Sequence, residues 1–170
     1  LASMFCFSFA LPATAAPLQV GFVYVSPIGQ AGWTFQHDQA RQAMQRALGD
    51  KVVTRFVEAV PEGADAERVM RDLAAQGTQL IFATSFGYLE PALRAAADLP
   101  DVKFEHAGGY KTAVNLNTYN ARFYEGRWLA GWLAGKSSKS GVAGYVAGFP
   151  VPEVVQGINA FLLGAQSQNP

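Results

Sequence analysis

The chain has 170 residues, of which 50% are hydrophobic and 15% charged, so it can bury a sizeable core. Its 13 basic and 13 acidic side chains give a formal net charge of zero. That balance argues against a nucleic-acid partner, because such proteins concentrate Lys and Arg on one face. The single cysteine, Cys6, excludes an internal disulfide and a cysteine-based metal site.

The N-terminal stretch LASMFCFSFAL is apolar and uncharged. It is followed by Pro12, Ala13, Thr14 and Ala15, which supply the small residues that a signal peptidase reads. We interpret residues 1–15 as a truncated signal peptide that lacks its basic start and is cut after Ala15. The alternative is an N-terminal core strand. The run is too short for a membrane-spanning helix.

Residues 18–38 predict a strand, a loop and the start of a helix. Residues 19–25 are β-branched and aromatic, which suits a strand buried on both faces of a parallel sheet. Apolar residues recur at helical spacing from Thr34 onward. Trp33 is predicted to lie in the loop between them, at the edge where open α/β sheets bind ligands. Two roles fit this position: the indole covers the core of its own lobe, or a flat ligand stacks on it.

Strands and helices then alternate. Further strands are predicted at residues 51–57, 80–83, 102–106 and 115–120. A helix that starts at Ala64 is predicted to end at Gly77, and the next is predicted to end at Pro100 and to bury Leu89, Leu93, Ala96 and Ala97. This alternation predicts an α/β fold: a parallel sheet with right-handed crossovers and helices on both faces.

The C-terminal part of the chain differs in composition. Residues 122–136 mix large apolar residues with glycines and alanines, which predicts a tightly packed helix. Residues 137–140 break this pattern and are the candidate domain boundary. Residues 141–146 are predicted to form a strand, followed by a helix. Because one strand and one helix cannot form a domain, we expect residues 16–136 to be an amino-terminal lobe with its crossover helix, and residues 137–170 to begin a second lobe.

Three kinds of chemistry are weakly supported. Ser85 lies between a strand and a helix, as in a nucleophile elbow, but Ala83 stands where the first glycine is expected. An α/β hydrolase-like enzyme with Ser85 as nucleophile is nevertheless kept as an alternative. The two histidines, His37 and His106, lack metal-ligand spacing. The glycines near Trp33 match neither a dinucleotide fingerprint nor a phosphate-binding loop.

Aromatic side chains give the stronger signal. Trp33, Phe86, Tyr110 and Phe149 all fall in predicted loops after strands, on the side where an open α/β sheet holds ligands. Core packing is the commoner role for each residue alone. Their common side of the sheet favours a pocket for a ring, because stacking on a base contributes about 1–3 kcal/mol.

Five segments together resemble a known family. They are GFVYVSPIGQAGWTFQHDQAR, LIFATSFGY, FEHAGGYKT, NLNTYNARFYEGRWLAG and GVAGYVAGFPVPEVVQGINAF. In this order and spacing they are similar to the basic-membrane-protein family of periplasmic solute receptors, which includes the purine nucleoside receptor lipoproteins. The resemblance runs from Leu18 to Pro170. It implies a two-lobed protein with the type I periplasmic-binding fold that binds purines for an ABC importer.

The resemblance also implies site residues. Trp33 stands where relatives often have a Phe that stacks on the base, and Thr34 where they often have Asn. Ser85, Phe86 and Gly87 match the second cleft loop. His106 replaces an Asp that follows the fourth strand in many relatives, so a free base such as adenine is as plausible as a nucleoside. Tyr110 and Asn120 complete the predicted ligand-binding set.

We therefore predict a binding protein without catalytic activity, cofactor or metal. Its partners are expected to be a purine base or nucleoside, held by aromatic stacking between two lobes, and the permease of an ABC transporter. We expect no contact with nucleic acid, and contact with the membrane only through the permease or a lipid anchor. The expected location is the periplasm, at the outer face of the plasma membrane. A domain that senses the ligand for a signalling partner is a further alternative.

Overall fold

The computed structural model describes residues 15–169 of the chain. The predicted signal peptide lies outside the described residues, except for Ala15. The strands are β1 (Leu18–Val23), β2 (Val52–Val57), β3 (Leu80–Ala83), β4 (Lys103–Ala107) and β5 (Leu116–Tyr119). The helices are α1 (Trp33–Leu48), α2 (Ala64–Ala75), α3 (Leu89–Asp98), α4 (Phe123–Ser137) and α5 (Pro152–Gln166). Short 3-10 turns occur at Gly49–Lys51 and Phe86–Tyr88.

The strands form one parallel sheet in the order β2-β1-β3-β4-β5. The chain moves from β1 to β2 in one direction and then crosses back over β1 to reach β3. With right-handed crossovers, these opposite movements bring α1 to one face of the sheet and α2 and α3 to the other. The strand order reverses between β1 and β3, and the carboxyl edge at this point is where open α/β sheets bind ligands. The predicted α/β fold is confirmed.

Each face of the sheet has its own apolar cluster. The larger cluster lies under α2 and α3 and includes Met70, Ile81, Leu89 and Phe104, all buried. A smaller one lies under α1 and centres on Val20, Phe22 and Tyr24. Both faces of the first strand are therefore covered, as its uninterrupted apolar sequence predicts.

Helix α3 buries a different set of alanines from the one predicted. Ala92 and Ala95 are buried together with Leu89 and Ala96, whereas Leu93 is half-buried and Ala97 exposed. The prediction for Ala97 was wrong because the buried stripe follows steps of three and four residues from Leu89, and Ala97 lies about 100° away from Ala96 around the helix.

Helices α4 and α5 pack against each other at very short range. A Cβ atom added at Gly131 would overlap the backbone of Phe161, and one added at Gly135 would overlap that of Ala165. Gly131 and Gly135 therefore have the predicted role of allowing close approach, whereas Gly126 has no neighbouring atom within 4 Å of its Cβ position. Several large apolar side chains of these helices remain exposed, among them Leu129, Leu133, Leu162 and Leu163.

The predicted strand at residues 141–146 is wrong. The segment forms no strand, and its side chains Val142 and Val146 are 76% and 99% exposed. A strand requires a neighbouring backbone with which to form hydrogen bonds. Within residues 15–169, no segment pairs with this one.

Candidate functional site

The candidate site lies where β1 and β3 end side by side. Thr84 directly follows β3, and its side-chain hydroxyl donates a hydrogen bond of 2.7 Å to the carbonyl oxygen of Val23 in β1. The carbonyl oxygen of Thr84 in turn accepts a hydrogen bond of 2.5 Å from Nε1 of Trp33. These two bonds connect the ends of both strands to the first residue of α1.

Trp33 is the first residue of α1, not a loop residue, and it follows Gly32, whose positive φ of 95° favours glycine. Its indole is 39% exposed. The ring centroid lies 4.6 Å from that of His37 and 6.1 Å from that of Phe123, in both cases at a tilt of about 50°. The indole is thus held by its edge at the carboxyl end of β3 and is not enclosed in the core.

Thr34 has a different environment. It is 2% exposed, and its hydroxyl lies 2.8 Å from the hydroxyl of Ser26. This bond connects the start of α1 to the loop that follows β1. The side chain of Thr34 therefore supports the loop from inside the lobe and does not reach the surface of the site.

Residues 85–87 form the next part of the site, and their polar groups are occupied by Glu62. The Ser85 hydroxyl donates to Oε1 of Glu62 at 2.6 Å, and the backbone N–H of Gly87 donates to the same oxygen at 3.2 Å. A Cβ atom at position 87 would overlap the Glu62 carboxylate, so glycine is required for this approach. The Ser85 hydroxyl thus donates to a carboxylate and not to an imidazole, which does not favour the hydrolase alternative.

Three predicted residues line one cleft of about 350 Å³. Phe86, Tyr110 and Asn120 face the first turn of α5, and the remaining lining residues are Gly108, Pro152, Glu153 and Gln156. The rings of Phe86 and Tyr110 lie 6.0 Å apart at 30°. Asn120 uses its side-chain oxygen to accept a bond of 2.8 Å from the N–H of Ala121. Tyr110 is 68% exposed.

His106 lies at the end of β4, beneath the loops of the site. It is fully buried, and neither ring nitrogen has a hydrogen-bond partner among the described residues. Burial lowers the pKa of His106, and the nearby backbone of Ser85 and Phe86 opposes this shift only in part. The imidazole is therefore neutral at pH 7, and its nitrogens lie within the lobe and not on the cleft wall.

A second groove lies on the α1 face of the sheet. It has a volume of about 290 Å³, and its lining includes His37, Phe82, Met44 and Tyr119. Burial, and to a lesser extent the charge of Glu105, raises the pKa of Tyr119 to about 12. Burial also lowers the pKa of His37, although the hydrogen bond of its Nδ1 with the Trp33 carbonyl oxygen opposes this. The groove is largely apolar and continues the aromatic contacts of Trp33.

Several residues of this region were not predicted from the sequence. Glu62 lies between the predicted strand at residues 51–57 and the helix that starts at Ala64, and Glu153 and Gln156 lie in the helix predicted after residues 141–146; no ligand contact was predicted for any of the three. Glu62 could have been found, because its loop follows β2 and so opens at the same carboxyl edge as the others. The approach of Glu153 to Gly108 depends on how α5 packs, which no local sequence pattern encodes.

Within residues 15–169, no group of three or more His, Cys, Asp or Glu side chains is arranged to hold a metal ion. The helices of the same part of the chain are too short or too polar to cross a bilayer.

Comparison with known proteins gives consistent results. Residues 18–170 match the family described as ABC transporter substrate-binding protein, PnrA-like. A purine-binding protein of Brucella abortus is 62% identical over 153 residues, which is 90% of this chain and 44% of that protein. A putative ABC transporter glucose-binding protein of Haloferax volcanii is 45% identical over 94% of this chain and 40% of that protein. The chain therefore spans less than half the length of these relatives.

Among solved structures, a solute-binding protein of an ABC transporter system from Aeropyrum pernix superposes with a TM-score of 0.74. It is 23% identical, and the match covers 89% of this chain and 44% of that one. At this identity the likeness supports the fold alone. It agrees with the periplasmic-binding-protein architecture that the sequence motifs imply.

Proposed function

Because the chain belongs to the PnrA-like family of ABC transporter substrate-binding proteins, we propose that it forms part of the binding component of an ABC importer, and that the ligand is a purine base or nucleoside. The family is one of binding proteins, so the expectation of a non-enzyme is confirmed at the level of the family. Purine as the ligand class is supported by the purine-binding relative from Brucella abortus.

The observation that carries the ligand class is the fixed, part-exposed indole of Trp33. Its Nε1 bond to Thr84 orients the ring at the strand edge where ligands bind in this fold. A ring held in advance loses little freedom when a ligand stacks on it. Stacking on an aromatic side chain contributes about 1–3 kcal/mol per base and tolerates different bases.

Five of the other predicted residues contribute to ligand binding in two ways. Phe86, Tyr110 and Asn120 border the cleft that faces α5, and they contact the ligand there. Thr34 and His106 act from within the lobe, because both are buried. In this proposal, residues 16–136 are the amino-terminal lobe and residues 137–170 begin the second lobe, and closure of the two lobes traps the ligand.

The location of the protein and its permease partner follow from the transporter role. The protein works outside the plasma membrane, in the periplasm, and delivers its ligand to the permease of the transporter. It reaches the membrane through that permease or through a lipid anchor. A sensor that passes its signal to another protein would use the same pocket and differ in the partner that it meets.

A sugar is the second candidate ligand. The relative from Haloferax volcanii is named as a putative glucose-binding protein and is 45% identical. The cleft beside Phe86 includes the polar side chains Asn120, Glu153 and Gln156, which can accept hydrogen bonds from hydroxyl groups. Glucose is therefore the proper competitor in a binding test.

The test is calorimetric titration of the intact gene product with adenine, guanosine, hypoxanthine and glucose. We expect binding of at least one purine, a weaker or absent response to glucose, and a large loss of purine binding in Trp33→Ala. Binding of glucose alone, or purine binding that Trp33→Ala leaves unchanged, would contradict the proposal. Trp128→Ala is the matched control, because Trp128 lies on α4 and is also 39% exposed.

A further inference from the structure

We propose that Glu62 reads the hydrogen-bond donors of the ligand, and that Ser85 and Gly87 are positioning residues that hold its carboxylate. This inference rests on the proposed function and extends it to the ligand edge that is recognised. It also changes the role predicted for Ser85 and Gly87, from direct ligand contacts to supports of a third residue.

The Ser85 hydroxyl and the Gly87 N–H already form hydrogen bonds within the protein. The Ser85 hydroxyl and the Gly87 N–H both donate to one oxygen of Glu62, at 2.6 and 3.2 Å. A ligand cannot use these two donors while the carboxylate is present. Residues 85–87 therefore present the Glu62 carboxylate to the site in place of these two donors.

The other oxygen of the Glu62 carboxylate is Oε2. Oε2 of Glu62 has no hydrogen-bond or ion-pair partner in the part of the chain that the structure describes, and the residue is exposed. A carboxylate with one oxygen fixed by two donors has a defined orientation. Its second oxygen is then a preorganised acceptor at the edge of the site, and an ionised carboxylate accepts hydrogen bonds but donates none.

Glu62 and Trp33 are connected through one loop of the site. Both residues bind the same short loop after β3: Trp33 bonds to Thr84, and Glu62 bonds to Ser85 and Gly87. Trp33 begins α1, and Glu62 lies in the loop two residues before α2 begins. A flat ligand on the indole would thus have one edge toward the loop that carries the carboxylate.

This arrangement predicts a preference for purines that carry an amino group. Adenine differs from unsubstituted purine, and guanosine from inosine, by one amino group whose N–H bonds can donate to a carboxylate. Hydrogen bonds to a charged partner are stronger than those between neutral groups. We therefore expect the amino compound of at least one pair to bind about 10-fold or more tightly to the wild-type protein.

The experiment measures the dissociation constants of both pairs by calorimetry on the intact gene product. Wild type, Glu62→Gln, Ser85→Ala and the control Asp65→Asn are compared. Glu62→Gln keeps the shape of the side chain and removes its charge. It should reduce the amino preference to less than about 3-fold, whereas Ser85→Ala should reduce it partly. Asp65→Asn makes the same charge change three residues away, at an exposed carboxylate that pairs with Arg68, and should leave the preference unchanged.

The outcomes separate this inference from the proposed function. If the wild-type protein binds purines without preferring the amino compound, or if Glu62→Gln keeps the preference, the inference is wrong and the purine proposal stands. If Glu62→Gln binds every purine more tightly, Glu62 competes with the ligand instead of reading it, which also overturns the inference. If the wild-type protein binds none of the four compounds, the purine proposal fails and the inference fails with it.

Discussion

Trp33 and Glu62 bind consecutive residues of the loop that follows β3, Trp33 from the start of α1 and Glu62 from the segment before α2. Nε1 of Trp33 donates to the carbonyl oxygen of Thr84, and Oε1 of Glu62 accepts from the hydroxyl of Ser85, the next residue. The loop after β3 is therefore fixed on both sides. Because the loop is ordered before a ligand arrives, its ordering does not reduce the free energy of ligand binding.

The first prediction concerns the stacking surface. Trp33→Ala should weaken binding of the preferred purine by about 5- to 150-fold, which corresponds to the loss of about 1–3 kcal/mol of stacking. Trp33→Phe should lose less, because a smaller aromatic ring is retained. Calorimetric titration of the intact gene product measures both. Equal affinity of wild type and Trp33→Ala would show that the indole does not touch the ligand.

The second prediction concerns a buried ionic network under α1. Asp38 is 3% exposed and accepts hydrogen bonds of 2.7 Å from both Arg41 and Gln42, and one of 3.3 Å from the Tyr24 hydroxyl. Asp38→Ala should lower the free energy of unfolding by about 3 kcal/mol, because it leaves the largely buried Arg41 without its partner. Urea unfolding measures the loss. The exposed pair of Arg68 with Asp65 gives the control, since Asp65→Ala should cost less than about 1 kcal/mol.

The same carboxylate predicts a pH dependence. Burial acts to raise the pKa of Asp38, but the hydrogen bonds from Arg41 and Gln42 outweigh it, and the pKa is lowered. The folded state therefore holds the charged form more strongly than the unfolded state does. The stabilisation is complete above the ordinary value of about 3.9 and is lost as the pH falls through the lowered pKa. Urea unfolding between pH 5 and pH 2 should show less acid sensitivity in Asp38→Ala than in wild type.

Sequence patterns predicted most strands and helices of residues 16–136, because hydrophobic periodicity encodes each of these elements locally. Residues 80–83 were predicted with the same bounds that β3 has, and the turn residues Gly63 and Gly77 flank α2. The prediction failed at residues 141–146, where an apolar segment forms a strand only if another backbone pairs with it. The prediction was also incomplete for the site, since the hydrogen bonds that Ser85 and Gly87 donate to Glu62 join residues more than 20 positions apart.

The third prediction concerns the two histidines. Burial lowers the pKa of His106 and also that of His37, where the hydrogen bond with the Trp33 carbonyl oxygen opposes the shift without reversing it. The unfolded chain then takes up protons near the ordinary value of 6.5 while the folded chain does not. Stability is therefore complete above about pH 6.5 and decreases as the pH falls below it. Urea unfolding at pH 7 and pH 5 measures the decrease.

Two further measurements assign this effect to His106. His37→Gln should retain most of the decrease, because His106 is fully buried and its ring nitrogens lack hydrogen-bond partners among the described residues. NMR titration of the imidazole protons should give a pKa below 6.5 for His106. A value at or above 6.5 would contradict the prediction, since it would mean that the folded protein stabilises the charged ring.

The last prediction compares two glycines on facing helices. A Cβ atom at Gly164 of α5 would overlap the backbone of Trp128 and lie 2.9 Å from the backbone nitrogen of Trp132, whereas one at Gly126 of α4 would have no atom within 4 Å. Gly164→Ala should force the two helices apart and lower the free energy of unfolding by about 1–3 kcal/mol. Gly126→Ala should raise it by about 0.5–1 kcal/mol, because alanine favours a helix interior more than glycine does. Urea unfolding of both variants tests the pair. Equal stabilities would show that backbone contact at Gly164 does not limit the packing of α4 against α5.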